Sequence, residues 1–105
     1  MSVKDPGKGG GDVATEDRVT VQRPKNHKVL LHNDDFTTQQ FVVHVLMKFF
    51  RKTETEATQV MLMVHHSGMA VAGVYPAEVA EAKVAQVTDY ARGNNYPLKV
   101  TAEPE

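Results

Sequence analysis

Val29-Leu30-Leu31-His32-Asn33-Asp34-Asp35-Phe36-Thr37 is the stretch whose reading decides the fold. It opens on an apolar run, passes through a polar cluster and leads into a helical pattern. Lys28–His32 reads as a first strand. Asn33, Asp34, Asp35 and Thr37 then set an amide, two carboxylates and a hydroxyl on the short piece of backbone where the strand ends. A group of acceptors in a fixed turn suits a small cationic ligand better than an anion. His65-His66, later in the chain, offers a further acceptor to the same place.

Downstream of the turn, Thr37 followed by Gln40 has the form of a capping box. Phe41, Val42, Val45, Leu46 and Phe49 recur at helical spacing, predicting a first helix over about residues 38–50. Thr53 and Glu56 repeat the capping pattern, and Ala57, Val60, Met61 and Val64 form the apolar face of a second helix ending near His66, before Gly68. Met69–Tyr75 is a short apolar run without helical period and reads as a second strand. Pro76 suits a first helical position. Ala80, Val84, Val87 and Ala91 mark a third helix, with Gly93 as its stop, and Leu98–Thr101 reads as a third strand after the turn residues Asn94 and Asn95. The order β-α-α-β-α-β predicts an α+β class: a small two-layer domain with a three-stranded antiparallel sheet packed against three helices.

Residues 1–26 read differently. Gly7, Gly9, Gly10 and Gly11 stand among charges with few large apolar side chains, too little to offset ordering entropy. They are expected to form a disordered N-terminal extension, with Val19-Thr20-Val21 pairing at most transiently ahead of Pro24; an idle tail is the plainer reading. Residues 27–105 are the expected folded core, which is enough for one apolar interior without covalent staples. Five Lys/Arg face four Asp/Glu in the extension, and seven face nine in the core. Neither part carries the basic footprint of a nucleic-acid binder. The chain has no cysteine, which removes disulfides, thiolate zinc sites and thiol nucleophiles and is compatible with a reducing cytosol. No segment reads as a signal peptide or a membrane span, so a cytoplasmic location is expected.

Two readings of Asn33-Asp34-Asp35 stand side by side. One is an Asx-rich turn whose side chains cap the backbone that follows. The other is a cation site, in which an amide oxygen, a carboxylate and a neutral imidazole nitrogen receive the three N–H donors of a primary ammonium. His65 and His66 point about 100° apart on a helix, so they do not share one ligand easily. No H-E-x-x-H or comparable spacing is present, and no metal or cofactor is expected. Met61, Met63 and Met69 read first as core filling, although a thioether beside a pocket adapts well to aromatic and aliphatic guests. There is no phosphate loop and no nucleophile elbow. A non-enzyme is therefore expected, against the alternative of a small acid–base hydrolase using His65 and Asp34.

Four blocks carry a family resemblance. They are Asn33-Asp34-Asp35-Phe36-Thr37 with Phe41-Val42-Val43; Ala57-Thr58 through Met61-Leu62 to Val64-His65; Gly73-Val74-Tyr75 with Ala77-Glu78-Val79-Ala80-Glu81 and Lys83-Val84; and Tyr96-Pro97-Leu98. In this order they resemble the ClpS adaptor family over nearly all of residues 27–101. The resemblance implies an adaptor of the bacterial N-end rule pathway, without catalysis of its own. Such an adaptor binds N-degron substrates, which begin with Leu, Phe, Tyr or Trp, and delivers them to the AAA+ unfoldase ClpA of the ClpAP protease.

By position, the resemblance assigns α-amino-group contacts to Asn33, Asp34 and His65. It assigns the side-chain pocket to Leu31, Asp35, Thr37, Val42, Met61, Val64 and Leu98, with Gln39 at its border. Glu78 and Lys83 fall on the unfoldase-facing surface, and residues 1 to about 26 on the extension that engages the unfoldase. A monomer is expected, since an adaptor of this kind needs no second copy. Gln39 stands where many members have Met, so a narrower or altered preference among N-terminal residues is expected; Thr38 stands where they often have Pro, which implies a less rigid turn before the first helix. Phe36 for a common Tyr and Ala72 for a common Cys read as packing changes. A structural interaction domain of similar size, such as the C-terminal domain of the ribosomal stalk, does not account for the acceptor cluster. If His65 accepts a hydrogen bond, association declines as pH drops through the imidazole range.

Overall fold

Val29 and Leu31 are fully buried in the core, while Leu30 between them, also buried, stands outside that core cluster. This alternation is the period of two that makes a strand. The computed structural model describes residues 25–105. The expected disordered extension, apart from Lys25 and Asn26, and the short strand at Val19-Thr20-Val21 lie outside the described residues.

The elements are β1 (Asn26–His32), α1 (Gln39–Phe50), α2 (Glu54–Ser67), β2 (Met69–Pro76), α3 (Ala77–Gly93) and β3 (Lys99–Pro104). β1 is the central strand, with β2 and β3 antiparallel on either side. The α+β order and the antiparallel three-stranded sheet are as predicted. Both outer strands run further than the apolar runs suggest. β3 continues to Pro104, and the backbone N–H of Glu105 donates to the Asn26 carbonyl at 2.8 Å, because β1 extends to Asn26 and supplies pairing partners there. A bulge between Val29 and Leu30 shifts the β1–β2 register, so Val29 faces Gly73 and Leu30 faces Val71.

The helices bury the stripes their periodicity predicts. Phe41, Val42, Val45 and Leu46 of α1, Ala57, Met61 and Val64 of α2, and Ala80, Val87 and Ala91 of α3 join Val29, Leu31, Ala70, Ala72, Leu98 and Val100 in one core. Phe50 rather than Phe49 completes the α1 stripe. Each large side chain buried there contributes about 1.5–3 kcal/mol relative to exposure. Val60 and Val84 pack at the margin, half-buried.

Local chemistry sets the ends. Thr53 and Glu56 form the predicted capping box: the Glu56 N–H donates to Thr53 Oγ1 at 3.2 Å and the Thr53 N–H donates to Glu56 Oε1 at 2.9 Å. The Thr53 donors hold the Glu56 carboxyl below its ordinary value. Gly68 closes α2 in the left-handed conformation with φ 90°, where a Cβ would be strained. Three boundaries differ from the predicted ones. Thr38, not Thr37, caps α1, its hydroxyl accepting from the Phe41 N–H at 3.1 Å, because the Thr37 hydroxyl is engaged elsewhere. Pro76 is the N-cap of α3 rather than its first helical residue, since its ψ of 152° is extended. Gly93 lies inside the last turn, and Asn94 is the C-cap.

Candidate functional site

The residue that organises the β1–α1 turn is Asp34. Its Oδ1 accepts from the N–H groups of Phe36 at 2.8 Å and Thr37 at 2.7 Å, and its Oδ2 accepts from the Thr37 hydroxyl at 2.7 Å. The Asx-turn reading is thus realised. It does not exhaust the carboxylate. Of roughly four lone-pair sites on such a group, one remains open, on Oδ2. Partial burial alone would push this carboxyl up. Donation from the Thr37 hydroxyl, with the Thr37 and Phe36 amides and the positive field of Arg92, outweighs burial and holds it below its ordinary value. Asp34 is therefore a carboxylate at neutral pH.

A second bond aims the turn. The Asn33 N–H donates to the Gly68 carbonyl at 2.8 Å, fastening the end of β1 to the C-terminus of α2. His65, in the last turn of α2, is brought to the same opening as Asn33 and Asp34. Its ring meets that of His66 edge-on at 5.2 Å. Among the described residues, no hydrogen bond occupies the Asn33 side chain or the His65 ring, so both polar heads are available to a ligand.

The result is a cleft of about 470 Å³. Asn33, Asp34, Asp35, Thr37, Thr38, Gln39, Gln40 and His65 form its polar rim, and Val42, Met61 and Val64 its apolar floor. The floor residues are buried, at 6%, 8% and 2% exposure, so the cleft reaches down to the core without opening it. Such a shape takes one cationic head and one bulky apolar side chain.

Most residues singled out in the sequence meet here. Asn33, Asp34, Asp35, Thr37, Gln39, Val42, Met61, Val64 and His65 all line the cleft. Leu31 and Leu98 are not among its lining residues; at 0% and 1% exposure they belong to the same core as Val42, Met61 and Val64. Thr38 and Gln40 line the wall although sequence reasoning left them out. The signal available was their position, directly after the Asn33–Thr37 turn.

Glu78 and Lys83 lie apart, on α3. Glu78 is exposed in the first turn. Lys83 is half-buried: its ammonium donates to the Phe49 carbonyl at 2.7 Å and lies 5.9 Å from the Phe50 ring centroid and 5.7 Å from that of Tyr75. Partial burial pushes the Tyr75 phenol up, which keeps the ring neutral beside that cation. Among the described residues, no helix is long and apolar enough to cross a membrane and no cluster of three ligating side chains could hold a metal.

Comparison with known proteins identifies the family. The family model described as "ATP-dependent Clp protease adaptor protein ClpS" matches residues 22–101. The ClpS adapter of Desulfatibacillum aliphaticivorans is 52% identical over 101 residues, covering 96% of this chain and 97% of its own. That of Deinococcus radiodurans is 52% identical over 102 residues, covering 95% and 90%. Among solved structures, Agrobacterium tumefaciens ClpS2 bound to L-phenylalaninamide superposes with a TM-score of 0.77 at 42% identity, covering 79% of this chain and 100% of that one. A match over this much of the sequence, on the same fold, means that the chain belongs to the ClpS family of ATP-dependent Clp protease adaptor proteins.

Proposed function

We propose that this protein is an N-end rule adaptor. It captures polypeptides that begin with a bulky hydrophobic residue, Leu, Phe, Tyr or Trp, and hands them to the ClpA-type unfoldase of a Clp protease in the cytoplasm. The observation that carries this reading is one cleft with two chemistries: open acceptors at Asn33, Asp34 and His65 on the rim, and Val42, Met61 and Val64 on the floor. Only a chain terminus offers a free α-ammonium beside a single side chain, and capture of a terminal amine is a recurring mode of peptide recognition. The amine supplies three N–H donors; the Asn33 amide oxygen, the open position on Asp34 Oδ2 and a His65 ring nitrogen receive them. The side chain then fills the apolar floor, a burial worth about 1.5–3 kcal/mol. A relative of the same fold is known bound to L-phenylalaninamide, a ligand with just this amine and side chain.

The protein acts as a monomer and has no catalytic activity of its own. The hydrolase alternative loses support from Asp34, whose carboxylate is tied into the turn and held in its charged form, unsuited to donating a proton. Glu78, exposed at the start of α3, belongs to the unfoldase-facing surface together with the α3 face that Lys83 holds in place, and residues 1 to about 26 serve delivery. Fluorescence anisotropy with a labelled Leu- or Phe-initiated peptide, free or N-acetylated, tests the core of the reading. Acetylation removes the charge and two of the three N–H donors, so that acceptors covered by the bound peptide go unpaired, at a cost of about 1–3 kcal/mol, and so weakens binding at least several-fold. Equal affinity for the two peptides would sink it.

A further inference from the structure

A second opening lies on the other side of the Asp34–Thr37 turn. It measures about 540 Å³ and is lined by Phe36, Arg92, Asn95, Tyr96 and Pro97. The two openings share one wall: Asp35 and Thr37 face the first, and Phe36, between them, faces the second. Phe36 is 76% exposed, the most exposed large apolar side chain among the described residues. Tyr96 is fixed from behind by Phe41, ring centroids 4.4 Å apart, and presents a rigid aromatic surface. Arg92 is also immobilised. Its Nη1 donates to the carbonyls of Tyr96 at 2.9 Å and Leu98 at 3.2 Å, while the Nε and Nη2 donors of this exposed residue make no hydrogen bond among the described residues. Arg92 also lies close enough to Asp34 for its charge to lower that carboxyl, so the two clefts are electrostatically as well as sterically adjacent.

We propose that this opening is a second subsite for the same polypeptide, receiving an apolar side chain at its second or third residue. The ring of Phe36 and the Tyr96-Pro97 surface cover that side chain, and Arg92 donates to the peptide carbonyls beside it. The occupant follows from continuity. A chain whose amine is held at Asn33, Asp34 and His65 has to leave across the rim, and the 34–37 turn is the part of the rim with an apolar shelf and unspent donors beyond it. The inference rests on the first cleft binding the chain terminus as proposed above.

The test compares L-phenylalaninamide, which has no downstream residues, with Phe-initiated peptides carrying Leu or Gly at positions two and three. Each ligand is titrated by calorimetry against the full chain and its Phe36→Ser variant. Phe36 is too exposed for this change to threaten folding. The expected result is that the Leu-bearing peptide loses about five-fold in affinity in the variant, the Gly-bearing peptide loses less, and the amide is unaffected. Loss of the same size for all three ligands, or for none, overturns the second subsite while leaving the first cleft intact. Weakened unfoldase binding with unchanged peptide affinities also overturns it, assigning the shelf to that partner instead. Failure of the amide to bind even the unaltered chain is a different result, and it removes the first-cleft reading itself.

Discussion

The backbone N–H of Asn33 lies 2.8 Å from the carbonyl oxygen of Gly68 and donates to it. This one bond joins the end of the central strand to the cap of α2, and through it the polar turn and the His65 side chain come to share an opening. Gly68 holds φ at 90°, a conformation that costs a residue with a Cβ about 1–2 kcal/mol. Gly68→Ala is therefore expected to destabilise the fold by about that amount. It should lower the melting temperature by about 4–8 °C per kcal/mol for a domain of this size, as read by calorimetry. An unchanged transition would mean that α2 ends equally well without a left-handed residue.

On the proposed reading, Asp34 and His65 both serve binding but only one of them also serves folding. Asp34→Ala and His65→Ala are each expected to weaken association with a Leu- or Phe-initiated peptide by about 1–3 kcal/mol, since each leaves one ammonium donor unmet. The two variants differ in stability. Asp34→Ala also frees the Phe36 and Thr37 donors and lowers the urea midpoint, whereas His65→Ala, at an exposed ring that makes no hydrogen bond among the described residues, leaves the midpoint in place. Retained peptide affinity in either variant would remove that side chain from the site.

Asp34 makes stability depend on acid. Its folded carboxyl lies below the ordinary 3.8, so the native state favours the charged form. The associated stability is fully present above the unfolded value of 3.8 and is lost as pH falls through the lower folded value. Urea midpoints measured downward from about pH 5 should fall more steeply for the unaltered chain than for Asp34→Asn. Thr37→Val, which removes a donor to that carboxylate, should destabilise by about 1–2 kcal/mol at neutral pH and flatten the same slope in part.

Lys83 is expected to behave as a structural cation. Its ammonium fastens α3 to the Phe49 carbonyl, near the C-terminus of α1, and lies near the Phe50 and Tyr75 rings. Lys83→Met should cost about 1–2 kcal/mol in chemical denaturation. Glu78→Ala, at an exposed position, should cost little. If α3 faces the unfoldase, Glu78→Ala weakens that association directly, and Lys83→Met weakens it together with the loss of stability. A Lys83→Met variant of full stability would contradict the tether.

Gln39 borders the cleft from the first turn of α1. A polar, exposed side chain at that border contributes less apolar contact than a thioether and gives the bound peptide a hydrogen-bonding neighbour. Gln39→Met should shift the ranking among peptides that differ only at residue one. An identical ranking before and after the change would exclude Gln39 from selectivity.

Much of this architecture was legible in the sequence. The helical faces of Phe41-Val42-Val45-Leu46 and of Ala57-Met61-Val64 follow from spacing, because burying one stripe is a property of a segment. The Thr53–Glu56 box and the Gly68 stop are equally local, each made by residues within one turn. The acceptors Asn33 and Asp34 stood in plain view for the same reason, as neighbours on one turn. Tertiary packing decided the rest. Whether Thr37 or Thr38 caps α1 depended on competition for one hydroxyl, which Asp34 wins. Whether Leu31 and Leu98 line the cleft or stay within the core depended on how deeply the helices seat against the sheet. The meeting of Asn33 with His65, and the placing of Lys83 between Phe49, Phe50 and Tyr75, join residues far apart in the chain. Periodicity carries no information about such pairs, since it records which face of an element is buried and not what lies against it.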